Sequence, residues 1–184
     1  MTDYEALLQV VIVDPRYQER LDWGEPRAGH PEGTIRAHIG DLERNLDALR
    51  PRLSDADCSK LQILIHTHDT FKADAKEGVA IIDDCSHASL ARQFLSALCD
   101  DRDLLNMVQY HDEPRALWLQ LQSKGQYDQE RFTTLLSSID DWNVFLAFCI
   151  IDGCTPGKNR EPLSWFLAEL DGKVESDITA ADIR

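Results

Sequence analysis

Four histidines and two aspartates stand in an order that suits metal chemistry: His38, the adjacent pair His68-Asp69, His87, His111 and Asp152. Imidazole and carboxylate are the protein ligands taken by borderline divalent ions such as Mn, Fe, Co, Ni and Zn, and ligand type alone permits all five. Because Asp69 follows His68 directly, one carboxylate can sit beside or between two ions. A lone histidine on an apolar face is ordinarily a core residue with one hydrogen-bond partner. Several such groups converging without a cation would be costly, since buried charge needs a partner.

These residues must be brought together by helices. His38 lies three residues after Ile35 and four before Leu42, on the stripe Ile35, Ile39, Leu42, Leu46, Leu49. His68 follows Leu64 and Ile65 at the same spacings, His87 precedes Ala91 and Phe94, His111 follows Val108, and Asp152 follows Phe148 and Cys149. Each therefore faces the core. Strand-type alternation is absent, so the expected fold is all-α, a compact multi-helix bundle with the metal site between helices.

The expected elements run as follows. A short apolar helix from Tyr4 to Val13 stops at Asp14-Pro15, and positions 14–33 form a long Pro- and Gly-rich loop. Thr34 caps a helix to about Arg50, and Ser54 with Asp57 forms a capping box for a helix through His68. Gly78 breaks the chain before a helix opened by Ser86. Further helices span Asp101 to Tyr110 and Asp112 to Gly125, and Asp112 reads as a helix cap rather than a ligand. Asp128 to Asp152 is one helix or two joined near Asp140-Asp141. The last helix covers about 161–171, followed by a polar, loose tail.

Composition narrows the partners. The 184 residues fit a single domain, 1–184, with a net charge of −14 from 19 basic and 33 acidic side chains. That excess repels nucleic-acid backbones and anionic membranes, yet leaves room for a small anion held by a metal and local cations. The five cysteines form no CxxC pair and read as free thiols in a reducing cytoplasm. The start, Met1-Thr2-Asp3-Tyr4-Glu5, is acidic where a signal peptide is basic, and the longest apolar run is Val144 to Ile151. A cytoplasmic protein is expected.

From Gly29 to Asp152 the chain resembles the HD-domain superfamily of metal-dependent phosphohydrolases. Leu64-Ile65-His66-Thr67-His68-Asp69-Thr70-Phe71-Lys72 is similar to the signature helix, and His30-Pro31-Glu32-Gly33-Thr34 followed by His38 is similar to the opening motif. Ser86-His87 and Tyr110-His111-Asp112 resemble the extra histidines of two-metal members, and Asp152 resembles the closing aspartate. A Gly-Tyr-Pro motif is missing, which separates the chain from the cyclic-dinucleotide phosphodiesterases that carry one. The expectation is a stand-alone domain.

The resemblance implies hydrolysis of a small phosphorylated substrate by metal-activated water. His38, His68, Asp69 and Asp152 would hold one ion, and His87 and His111 a second with Asp69 bridging. In the mononuclear alternative the last two histidines bind phosphate or donate a proton. Asp69 and Lys72 would act in catalysis. Lys72, Lys158, Arg160 and His30 would contact the substrate, the cations of Gly153 to Arg160 favouring an anion. The same ligand order also occurs in HD-fold mixed-valent di-iron oxygenases that cleave C–C or C–P bonds. A non-catalytic binding module is the third reading. His66 lies off the ligand stripe and is expected to play no direct part.

Overall fold

The computed structural model describes residues 2–183 and is all-α; among them the only β contact is an isolated bridge between Arg27 and His30. The chain opens with α1 (Tyr4–Val13), capped by the Asp3 carboxylate on the Ala6 amide. Asp14-Pro15 ends that helix and at once starts another. The Asp14 side chain accepts from Arg16 N, and Pro15 occupies the first position of α2 (Pro15–Gln18). The expected loop therefore begins with a helical turn. Its remainder is tied to the next helix, α3 (Ile35–Leu49), by Ile35 N donating to Trp23 O at 3.0 Å and Arg36 N to Leu21 O at 2.8 Å. Those amides would otherwise lack partners at a helix start.

The Ser54–Asp57 capping box is present and opens α4 (Asp55–Thr67), with His68 as its C-cap. α5 (His87–Ser96) and α6 (Arg102–Tyr110) pack on each other, capped by Ser86 and Asp101. α7 (Glu113–Lys124) ends at Gly125 in the left-handed conformation. α8 (Gln129–Ser138) and α9 (Trp142–Gly153) are separate helices meeting at 118°, which settles the open choice between one helix and two. Neither of these nor any other single helix among the described residues is long and apolar enough to cross a membrane.

α9 is apolar all round and packs against α3 and α4, so it forms the centre of the core. Phe145 and Phe148 are fully buried on it. Truncating either to alanine would cost about 3–5 kcal/mol. The sharp entry into α9 is fixed by Asp103 of α6. Its carboxylate binds Lys60 Nζ of α4 at 2.8 Å and accepts from Asp140 N at 2.8 Å and Asp141 N at 3.3 Å.

α10 (Glu161–Leu170) follows, and the chain after it is not loose. Ile178 is buried, and a 3-10 turn at Ala180–Asp182 has its own capping box. Arg52 clamps the segment, donating to Asp182 Oδ1 at 2.7 Å and Asp177 O at 2.6 Å. Polarity predicted a loose tail because a single buried isoleucine and one arginine clamp leave little periodic signal. The five cysteines are free, and Cys85 is exposed.

Candidate metal centre

The six ligand candidates converge at one point. His38 projects from the buried face of α3, and Asp152 from the last turn of α9. His68 and His111 are the C-caps of α4 and α6, and His87 is the first residue of α5. Helix ends thus supply four of the six, while Asp69 follows α4 directly.

Two ligand groups are formed. In the first, His38 Nε2 lies 3.2 Å and His68 Nε2 4.0 Å from Asp152 Oδ1. In the second, His87 Nε2 and His111 Nε2 are 3.1 Å apart and each is 3.6 Å from Asp69 Oδ1. The other oxygen of Asp69, Oδ2, faces the first group, 3.4 Å from His68 Nε2 and 3.8 Å from His38 Nε2. One carboxylate divides its oxygens between the two groups.

Which nitrogen faces inward follows from the far side of each ring. A carbonyl only accepts, so the ring nitrogen against it must carry the proton. His68 Nδ1 donates to Leu64 O at 3.0 Å, and His111 Nδ1 to Val108 O at 2.8 Å. Both rings therefore turn Nε2 to the centre, the nitrogen that carries the lone pair whenever the ring is neutral and can bind a metal.

Among the described residues, four buried side-chain atoms lack a hydrogen-bond partner: Glu32 Oε2, His38 Nδ1, His68 Nε2 and Asp69 Oδ1. All belong to this cluster. An unpartnered buried lone pair costs about 1–3 kcal/mol, and His68 Nε2 and Asp69 Oδ1 point into the two groups where a cation would meet them. The donor set and its orphaned atoms fit a metal ion.

Burial pushes the Asp69 carboxyl up, but the charges of His68 and Lys72 outweigh it and hold it well below the ordinary value. Asp152 is held down likewise by Lys158 and His38 against burial. Burial is the largest influence on His68 and lowers it. His111 is raised instead, because Asp112 and Asp69 overcome burial. Lys72 Nζ sits 2.5 Å from Asp69 Oδ2, and Lys158 Nζ 2.5 Å from Asp152 Oδ1. Each lysine ammonium neutralises one ligand carboxylate.

Beside the groups opens a cavity of about 620 Å³. His30, Lys72 and Lys158 line it, whereas Arg160 is exposed and lies off its wall. Arg27, Arg115 and Trp118 line it without having been singled out from sequence. Arg115 stands in the first turn of α7, across a helix break from His111, so no helical spacing links the two. Arg27 lies in the loop, where no period applies. His66 stands apart as expected, bonded to Tyr17 Oη at 2.5 Å and Glu43 Oε1 at 3.2 Å.

Asp112 holds the N-cap position of α7 as expected, but its side chain is used elsewhere. Its side chain makes no capping bond to α7, and Oδ2 lies 3.3 Å from His87 Nε2 and 3.9 Å from His111 Nε2. The Glu113-Pro114 start of α7 needs no cap at the proline, which has no amide hydrogen to satisfy. The carboxylate is thereby free to turn to the histidines.

No family model matches the chain, and neither does any curated protein or solved structure.

Proposed function

We propose that this protein is a metal-dependent phosphohydrolase acting on a small phosphorylated substrate, with two divalent transition ions as cofactors. The observation that carries the reading is the division of Asp69: Oδ2 with His38, His68 and Asp152, Oδ1 with His87 and His111. Bound there, such ions supply Lewis acidity toward phosphoryl oxygens and make a neighbouring water acidic near neutral pH.

The protein's own groups do the rest. Arg27, Lys72, Arg115 and Lys158 bring positive charge to a cavity within a strongly acidic chain, and so select an anion. The two guanidiniums offer planar donor forks, the geometry that grips phosphate or carboxylate at two oxygens. Lys72 and Lys158 pair with ligand carboxylates and have further N–H donors for a substrate oxygen. Phe148 and Trp118 form the apolar part of the wall and exclude water from the remainder of the ligand. His30 adds a neutral ring, since burial lowers it against the pull of Glu32. Nucleic acid is not the expected partner, given the net charge of −14.

Metal content of protein purified without chelators and without oxygen, followed by phosphate release from a panel of phosphoesters, tests the proposal. About two ions per chain with phosphate release under anaerobic conditions supports it. Dioxygen consumption dependent on an iron pair would replace hydrolysis by the oxygenase reading. No metal after reloading with Mn, Fe or Zn, or full turnover without metal, would end both.

A further inference from the structure

Each ligand histidine needs something to hold the proton on the nitrogen that faces away from the centre. For His68 and His111 that partner is a carbonyl of the same helix. His38 has no such carbonyl: its Nδ1 is buried and unaligned with any acceptor. What stands 2.9 Å from it is Oε1 of Glu32, a side chain only 7% exposed. The same oxygen lies 2.9 Å from His30 Nδ1 in an aligned hydrogen bond. Glu32 Oε2 has no partner at all. A buried carboxylate, two imidazoles and two unsatisfied atoms make an arrangement that is costly unless those groups serve one another.

The backbone is shaped to deliver this carboxylate. His30 N donates to Arg27 O at 2.9 Å and Arg27 N to His30 O at 3.0 Å, closing a tight turn. Gly33 then takes φ +81° directly before the Thr34 cap of α3. A side chain there would meet Pro26 Cδ at 2.9 Å, so the turn is held from both sides. The loop is a rigid bracket on the start of α3.

We propose that Glu32 is a positioning residue that holds the protons of both His30 and His38 on Nδ1, so that each ring offers Nε2 to the cavity. For His38 this nitrogen is the one 3.2 Å from Asp152 Oδ1. For His30 it is the nitrogen left free at the cavity wall. One carboxylate thereby sets the tautomer of a ligand and of a substrate-side imidazole, joining the loop to the metal site. The metal consequence rests on the proposed function; the tautomer consequence does not.

Long-range proton–nitrogen spectra of histidine-labelled, metal-free protein at about pH 8, above the ordinary imidazole range, read the two tautomers directly. Native protein is expected to show Nδ1–H for both His30 and His38. In Glu32→Ala both signals should move toward mixed tautomers while His68 and His111 keep theirs. Zinc affinity, measured by competition with a chromophoric chelator, should fall about 10- to 100-fold, the scale for removing an outer carboxylate. Should Glu32→Ala fail to fold by circular dichroism, the isosteric Glu32→Gln takes its place, with a several-fold loss of zinc affinity expected. Unchanged tautomers and unchanged zinc affinity in the folded variant would overturn the assignment. Native protein that binds no zinc yet shows both Nδ1–H tautomers would leave the Glu32 clamp standing and remove the metal function instead.

Discussion

The two ligand groups are built differently. The His38–His68–Asp152 group is drawn from α3, the end of α4 and α9, the helices that form the centre of the core, and both of its imidazoles are almost wholly buried. The His87–His111–Asp69 group uses the ends of α5 and α6, and His87 with Asp112 gives it a partly open side. His68 and Asp152 also stand at helix ends, but on helices packed in the core, whereas His87 and His111 sit at the ends of the α5–α6 pair. Positions set by a packed core move only with the core, whereas helix ends shift at lower cost. The first group should bind its ion more tightly and the second should exchange more readily.

The largest test of that contrast removes the residue both groups share. Asp69→Ala should empty both, with metal per chain falling to background and phosphate release dropping more than about a hundredfold, beyond the effect of an outer-sphere change. Retention of one ion would show that the groups do not depend on a common carboxylate. Next come single deletions, read by ion stoichiometry. His87→Ala should leave one ion per chain, held by the first group, while His38→Ala should leave one weakly held ion that dialysis against chelator removes. Equal retention in the two variants would erase the distinction.

Lys158 sharpens it further. Its ammonium competes for Asp152 Oδ1, so Lys158→Met should raise zinc affinity at the first group alone. It should also lower the thermal stability of metal-free protein, by about 1 kcal/mol for a pair that retains solvent contact. Acid should act on both groups in the metal-free chain. Asp69 and Asp152 lie below their ordinary value of 3.8 in the fold, so their contribution to stability is complete above that value. It is lost as pH falls through their folded values, which urea titrations from pH 6 downward would follow. The smallest effect belongs to Gly157→Ala. A methyl there meets Pro31 Cδ at 2.9 Å in a backbone at φ +80°, displacing the Lys158 loop from the His30 loop. Zinc binding should persist, with the substrate KM rising more than kcat falls.

Periodicity made the helices legible because apolar residues repeat at the helical spacing wherever a face is buried. His38 on its stripe with Leu42 and Leu46 is the clearest case, and the Thr34, Ser54 and Ser86 caps came with it. The ligand set was legible for the same reason, since polar residues at core positions stand out. What escaped lies where no period operates. Arg27 and the paired use of Glu32 belong to the loop, where contacts depend on turn geometry. Asp112 holds the cap position that its local pattern gives, but local pattern does not show which way the side chain turns. The docked tail was missed because its hold is tertiary, through Arg52 and Asn143.

The Asp103 carboxylate sits at one end of α9 and Asp152 near the other. Twelve residues of helix span about 18 Å, so α9 is a rod pivoted at its half-buried N-terminal anchor. A tilt of about 2° at that pivot displaces the far end by roughly 0.6 Å, comparable to the tolerance of about 0.5 Å within which a site must be held. Lys60, Asp103 and the two amides they restrain therefore act as the mount of a lever, setting the alignment of a ligand they never touch.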